Sequence, residues 1–272
     1  MLISIVGGRT SMKITYLGTC SGTEPKPGMH HTSLVIEVEG VLYWFDAGEC
    51  CAFSAHNSGM DVTRTRALFV SHPHYDHTGG LANLLACMGK LGKMFEKPMI
   101  NNNTLEVFFP DSAVFGAILT VANSSATKRN LPFEIIEHGI NDGVIFDDGR
   151  VKVTALHNRH LREDGSQGWH SFSFLIEAEG KRVVFSGDVL SSTELDPFTE
   201  VGCDLLIHET GHHAPRDVCD YAASRKVGAL RFTHHGRAII NDRAGAEALV
   251  GEASAASGIS MIICHDGMSE EL

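Results

Sequence analysis

The run Ser71-His72-Pro73-His74-Tyr75-Asp76-His77-Thr78-Gly79-Gly80 constrains this chain more than any other feature. Its four potential metal ligands, His72, His74, Asp76 and His77, directly follow Arg66–Ser71, a short apolar run that reads as a buried strand. In extended backbone, positions i, i+2 and i+4 share a face, so His72, His74 and Asp76 can converge. His77 needs a turn to join them, and the glycines that follow permit one. Imidazole and carboxylate together suit Zn²⁺, with Mn²⁺ or Fe as alternatives where oxygen ligands increase. A polar surface loop is the bland reading, but so many ligand types rarely gather at this spacing without chemistry to do.

Around this run the chain alternates short strands with a few helices. Strands are expected at 13–17, 33–38, 41–45 and 66–71, then near 133–137, 144–146, 151–156, 171–177, 182–186, 204–208, 229–233 and 260–264. Leu81, Leu84, Leu85 and Met88 recur at helical spacing after Gly79-Gly80, and further helices are expected at 112–122, 215–226 and 242–256. Strand meanders followed by helices, twice over, predict two sheets with helices on their outer faces, an α/β (α+β) layered fold. No Pro/Gly/Ser linker divides the 272 residues, so a single domain over 1–272 is expected, with 1–11 as an extension ahead of Met12 and 158–169 as a surface loop.

Composition narrows the function. Lys+Arg 22 against Asp+Glu 33 gives a net charge of −11, which argues against a large phosphate-binding face and so against structured nucleic acid as a partner. A small phosphate-bearing substrate stays open, because bound metal adds positive charge that the formal count omits. The seven cysteines form an odd set without C-x-x-C spacing and read as reduced thiols. No apolar run nears the ~20 residues that span a bilayer, and no basic leader precedes an apolar stretch, so a cytoplasmic protein without membrane contact is expected.

His72-x-His74-x-Asp76-His77 resembles the H-x-H-x-D-H signature of the metallo-β-lactamase superfamily, whose fold is a four-layer αββα sandwich with a metal pair at one edge. Phe185-Ser186-Gly187-Asp188 resembles the strand-end aspartate that bridges the two metals. Arg231-Phe232-Thr233-His234 resembles the late strand whose histidine binds the second metal; His234 is preferred over His235 because it continues the strand register, leaving His235 behind the site or facing solvent. Val153–Leu156 followed by His160 resembles the stretch supplying a third histidine to the first site, with His157 and His170 as competitors. The resemblance therefore implies two divalent ions, Zn²⁺ first. His72, His74 and His160 would hold one, Asp76, His77 and His234 the other, with Asp188 between them.

Within that superfamily, Tyr16–Gly22, Trp44–Cys50 and Asp204–Thr210 resemble the ribonuclease Z branch, whose pattern arylsulfatases and cyclic-phosphate phosphodiesterases largely share. Glu209 and His212, which lies 22 residues before His234, resemble that branch's acid pair. The resemblance implies that His212 protonates the leaving oxygen with Glu209 behind it, and that Asp76 orients or deprotonates the nucleophile. Two departures stand out: about ten residues follow His160 before the next strand, too few for a tRNA-gripping arm, and the segment from Glu209 to His212 is severely shortened. The expectation is a phosphodiesterase for a small or short, flexible phosphodiester, acting as a monomer or homodimer. Arylsulfatase- or lactonase-type hydrolysis and tRNA 3′ processing are the alternatives.

Several residues carry plainer readings. His208-Glu209-Thr210-Gly211-His212 matches H-E-x-x-H, which works as a zinc-protease motif only on a helix, yet here it follows a strand-like run and contains glycine. Asp46 is expected to order the metal loop by hydrogen bonding. Cys50 and Cys51 read as packed thiols, and His30, His31, His56 and His138 as ordinary surface or core histidines.

Overall fold

The structure, a computed structural model, describes residues 11–22, 24, 26–123, 131–161 and 168–272. The expected extension, apart from residue 11, and residues 162–167 of the expected loop lie outside the described residues. Fourteen named strands form two seven-stranded sheets. The first contains β1 (Lys13–Gly18), β2 (Ser33–Val38), β3 (Val41–Phe45), β4 (Thr65–Phe69), β5 (Thr104–Phe108) and β6 (Glu134–His138) in that spatial order. The second runs from β7 (Gly143–Asp147) through β8 (Lys152–His157), β9 (Phe172–Ala178), β10 (Lys181–Phe185), β11 (Leu205–Thr210) and β12 (Ala229–His235) to β13 (Ser260–Ile263). The last strand, β14 (Ser269–Glu271), returns to pair with β1.

Side-chain alternation gives each sheet two faces. The inner faces meet in one core of Ile14, Tyr43, Phe45, Phe69, Val153, Phe174, Val183 and Ile207, among others. Phe45, Phe69 and Phe108 stack through it, with ring centroids 5.0 and 4.8 Å apart. The outer face of the first sheet, with Trp44 and Leu68, is covered by α1 (Cys51–Asn57), α3 (Leu81–Met94) and α4 (Ser112–Ala122); the single turn α2 (Tyr75–Thr78) precedes α3. On the second sheet, Val184, Leu206 and Phe232 lie under α5 (Asp196–Thr199), α6 (Pro215–Ala223), α7 (Arg237–Ile240) and α8 (Arg243–Ser257). The result is the αββα sandwich. Local chemistry sets the helix ends: the Asp111 carboxylate accepts from the Ala113 and Val114 amides to start α4, and Asp242 accepts from Gly245 to start α8. No helix among the described residues is long and apolar enough to cross a membrane.

The expected strands and helices fall on observed ones, with ends shifted by a few residues. Helices α1, α5 and α7, the turn α2 and strands β5 and β14 are not expected from the sequence. β14 is a Ser-Glu-Glu triplet with no apolar alternation to betray it. An ion pair between the sheets holds it instead. Arg231 on β12 gives Glu270 on β14 a two-pronged contact, Nη2 to Oε2 at 2.7 Å and Nε to both oxygens at 3.0 Å, while the Tyr16 hydroxyl donates to Oε1 at 2.9 Å.

Both groups are largely buried, so removing one strands the other. Arg231→Leu is expected to lower unfolding free energy by about 3 kcal/mol. Pairing it with Glu270→Leu should restore much of that in urea denaturation; a double variant no better than the single would show that the pair does not hold β14.

Candidate metal centre

The C-terminal ends of β3, β4, β8, β10, β11 and β12 meet at one edge of the sandwich, where open α/β sheets place ligands. Asp46 follows β3, His72 and His74 follow β4, His160 follows β8, and Asp188 follows β10, while Glu209 and His234 lie in the last residues of β11 and β12. His74 has extended backbone, but Asp76 and His77 stand on the helical turn α2. Asp76 therefore joins His77 and His234, not His72 and His74. Two sets result, His72, His74, His160 and Asp188, and Asp76, His77 and His234, and a third group, Asp188, His212 and His234, overlaps both; in each the ligand atoms lie within 4.8 Å of one another.

Asp188 faces both sets. Its Oδ2 lies 3.7 Å from Nε2 of both His72 and His160. Its Oδ1 lies 3.3 Å from His77 Nε2 and from His234 Nδ1. Gly187 holds this turn at φ +55°, and a Cβ there would meet the Phe172 carbonyl oxygen at 2.8 Å, so the position requires glycine.

His234 reaches the site differently from the expected register. Glu209 pairs with Thr233 and Thr210 with His235, so His234 is the extra residue of a β-bulge, at φ +47°. The bulge swings its ring out of the ladder and onto Gly211, where a Cβ would lie 2.6 Å from it. His235 is fully buried and donates from Nε2 to the Cys264 carbonyl at 2.9 Å; it does not face solvent. Burial brings its pKa down to about 4.

Asp46 takes the supporting part expected of it. Its Oδ1 accepts from the Ser71 amide at 2.7 Å, and its Oδ2 from the Ser71 hydroxyl at 2.8 Å and from His77 Nδ1 at 2.7 Å. With its proton committed to Asp46, the Ser71 hydroxyl can only accept from His72 Nδ1, 3.1 Å away. Each ring thus commits Nδ1 to this network and turns Nε2 toward Asp188.

His72 Nε2, His77 Nε2, Asp188 Oδ1 and His234 Nδ1 are buried and lack a hydrogen-bond partner among the described residues. Unsatisfied groups at such density cost free energy unless a cation takes them. The charges agree. Burial raises Asp76, Asp188 and Glu209, yet facing histidines overcome it and hold all three below the carboxylate range. Burial brings His72 well below the imidazole range and His160 to about 4. It also works against charge on His77 and His234, but Asp188 and the other facing carboxylates lift both, His234 to about 9. Anionic carboxylates among crowded imidazoles are the donor set a divalent cation satisfies, and the residues fit one at each set.

Glu209 and His212 complete the edge. Glu209 Oε1 lies 3.0 Å from His212 Nδ1, and Oε2 accepts from the His212 amide at 2.9 Å. This hydrogen bond raises the His212 pKa against opposing burial. His212 lines an open cavity of about 420 Å³ with Ser21, Gly22, His74, Tyr75, Asp76, Asp188, Gly211 and His234. The H-E-x-x-H match lies on β11 and the turn after it, not on a helix, which removes the protease reading. His157 pairs with Asp142 at 2.7 Å and stacks on Trp169, and His170 lies 3.2 Å from the Pro110 carbonyl; neither enters a ligand set. Cys51 is packed as expected, whereas Cys50 is exposed.

The fold and this edge define a metal-dependent hydrolase of metallo-β-lactamase fold, similar to ribonuclease Z. The chain belongs to the family described as Anti-Pycsar protein Apyc1, whose model matches residues 12–219. A protein named Ribonuclease Z from Nitrosopumilus maritimus is 24% identical over 82% of this chain and 89% of its own. The metallo-β-lactamase fold protein YhfI of Bacillus subtilis superposes with a TM-score of 0.72 at 19% identity, covering 96% of this chain and 100% of that one. The short form of human tRNase Z does so with 0.69 at 20% identity, covering 95% and 98%.

His160→Ala is expected to strip one ion from the protein, while His157→Ala and His170→Ala leave metal content unchanged. Asp188→Ala should leave at most one ion, loosely held. Elemental analysis of the purified variants checks both, and two ions retained by Asp188→Ala would refute a shared carboxylate.

Proposed function

We propose that the chain is a dinuclear phosphodiesterase for a small or flexible phosphodiester. The observation that carries this reading is Asp188, one oxygen toward each ligand set, beside the Glu209–His212 pair on the same cavity. His72, His74 and His160 would hold one divalent ion, Asp76, His77 and His234 the other, and Asp188 both; five imidazoles favour Zn²⁺, with Mn²⁺ or Fe as alternatives. When bound, such a pair offsets charge on phosphoryl oxygens and makes water a better nucleophile at neutral pH.

The chain's own groups have separate tasks. Asp76 Oδ2 accepts from the Gly22 amide at 2.6 Å and lies 3.1 Å from His234 Nε2, which fixes an anionic carboxylate at the cavity wall. It orients the attacking water and receives its proton. His212 commits Nδ1 to Glu209 and keeps Nε2 for the leaving oxygen. The raised pKa keeps more of that ring protonated near neutrality, as a general acid requires.

Substrate size is argued from the cavity, from the 11 residues 161–171 that separate His160 from β9, and from the net charge of −11. RNA binding rests on many cation–phosphate contacts. Processing of tRNA 3′ ends is the second reading, favoured by the relatives named Ribonuclease Z.

The test is single-turnover hydrolysis by metal-loaded protein of an aryl phosphodiester, an aryl sulfate, a lactone and a precursor tRNA. The aryl phosphodiester is expected to react fastest and the precursor to stay intact. Position-specific 3′ trimming would establish the second reading, and preference for the sulfate or lactone would move the enzyme to that chemistry. In the same assay His212→Ala should lose about 10²–10⁴-fold on an alkyl leaving group, which needs a proton. It should lose far less on nitrophenolate, which does not. Equal losses on both would remove His212 as the acid.

A further inference from the structure

Asp188 stands between two unlike neighbours. Gly187, at φ +55°, lacks a side chain to anchor it. Val189, on the other side, is held at three points. Its side chain is fully buried in the core under α5 and α6, its amide donates to Glu209 Oε1 at 3.4 Å, and its carbonyl accepts from His213 Nε2 at 3.0 Å. The Gly187 carbonyl accepts from the Ser186 hydroxyl at 2.6 Å, so the aim of the Asp188 carboxylate is set from both sides, with side-chain packing only at Val189.

His213 is well placed to do this. Its side chain is 15% exposed, its Nε2 also lies 3.4 Å from Glu209 Oε1, and its ring packs edge-on against buried His208 at 5.4 Å. A carbonyl acceptor requires the proton on Nε2, so Val189 fixes the tautomer. Among the described residues His213 belongs to neither ligand set.

We infer that His213 is a positioning residue for Asp188: it clamps Val189 to the loop carrying His212, and so holds the carboxylate that faces both ligand sets. The inference rests on the reading of Asp188 as shared between two cations. Hydrogen bonds behind metal ligands are commonly worth about 10–100-fold in metal affinity, and a loss of that size is expected for His213→Leu. His213→Gln, whose amide places an N–H near the position of Nε2–H, should bind metal close to wild type.

Zn²⁺ affinity, measured by competition with a chromophoric chelator, tests this without any substrate. Tyr221→Phe is the control; it removes bonds of 2.9 Å to Thr199 and 3.0 Å to Asp196 in the same layer. That variant should lower the melting midpoint and leave Zn²⁺ affinity unchanged. Weakened binding in His213→Leu, rescue by His213→Gln and no effect of Tyr221→Phe would support the clamp. Unchanged affinity in His213→Leu, failure of His213→Gln to rescue, or equal weakening by Tyr221→Phe would each overturn it while leaving the two-cation reading standing. A wild-type chain that takes up no Zn²⁺ would overturn both.

Discussion

Three carboxylates, Asp76, Asp188 and Glu209, sit buried and anionic among His72, His77 and His234, and the edge of the sandwich is arranged around that charge. Burying an ion is tolerable only when opposite charge and hydrogen bonds replace its water. Here Gly22 contributes an amide to Asp76, and the His212 amide meets Glu209. Among the described residues no amide donates to Asp188; it faces imidazoles on both sides. That asymmetry separates the two carboxylates: Glu209 is tied to a neighbouring ring, while Asp188 faces both ligand sets.

The same demand for order reaches one layer out. Asp46 ties Ser71, and through it His72, to His77, so the residue that follows β3 orders the rings of the run that follows β4. Parallel neighbours β3 and β4 make this possible, since their C-terminal ends fall side by side. Metal loops and sheet topology are thus one problem. Strand direction delivers the donors to a common edge, and short hydrogen bonds then decide which ring nitrogen each presents.

Much of this was legible in the sequence because it is written locally. Strands with alternating apolar residues, the helix from Leu81, and the run His72–His77 all announce themselves within a few positions. Resemblance supplied Asp188 and singled out His160 and His234, which spacing alone could not have chosen from 16 histidines. What stayed hidden depends on partners far along the chain. Strand β14 exists through Arg231 and Tyr16, more than 35 positions away in each case. The bulge at His234 arises from pairing with β11, so the register argument that favoured His234 does not match the ladder. The helical turn at Asp76 likewise replaced an extended face. His213 gave no signal at all, being one histidine beside another.

Both ligand sets also draw on both halves of the chain. His72, His74, Asp76 and His77 follow strand β4 of the first sheet, while His160 and Asp188 follow strands of the second and His234 lies near the end of β12. A cation held by either set would therefore draw on both halves of the sandwich. Metal bound in this way would act as a cross-link between two faces that apolar contact otherwise holds together. Its binding free energy then adds to the cohesion of the docked halves and is absent from either half before docking. During synthesis the early half must wait, with its histidines exposed, until the strand carrying His234 has emerged. Removal of the ions should loosen the seam between the sheets before it loosens either sheet itself.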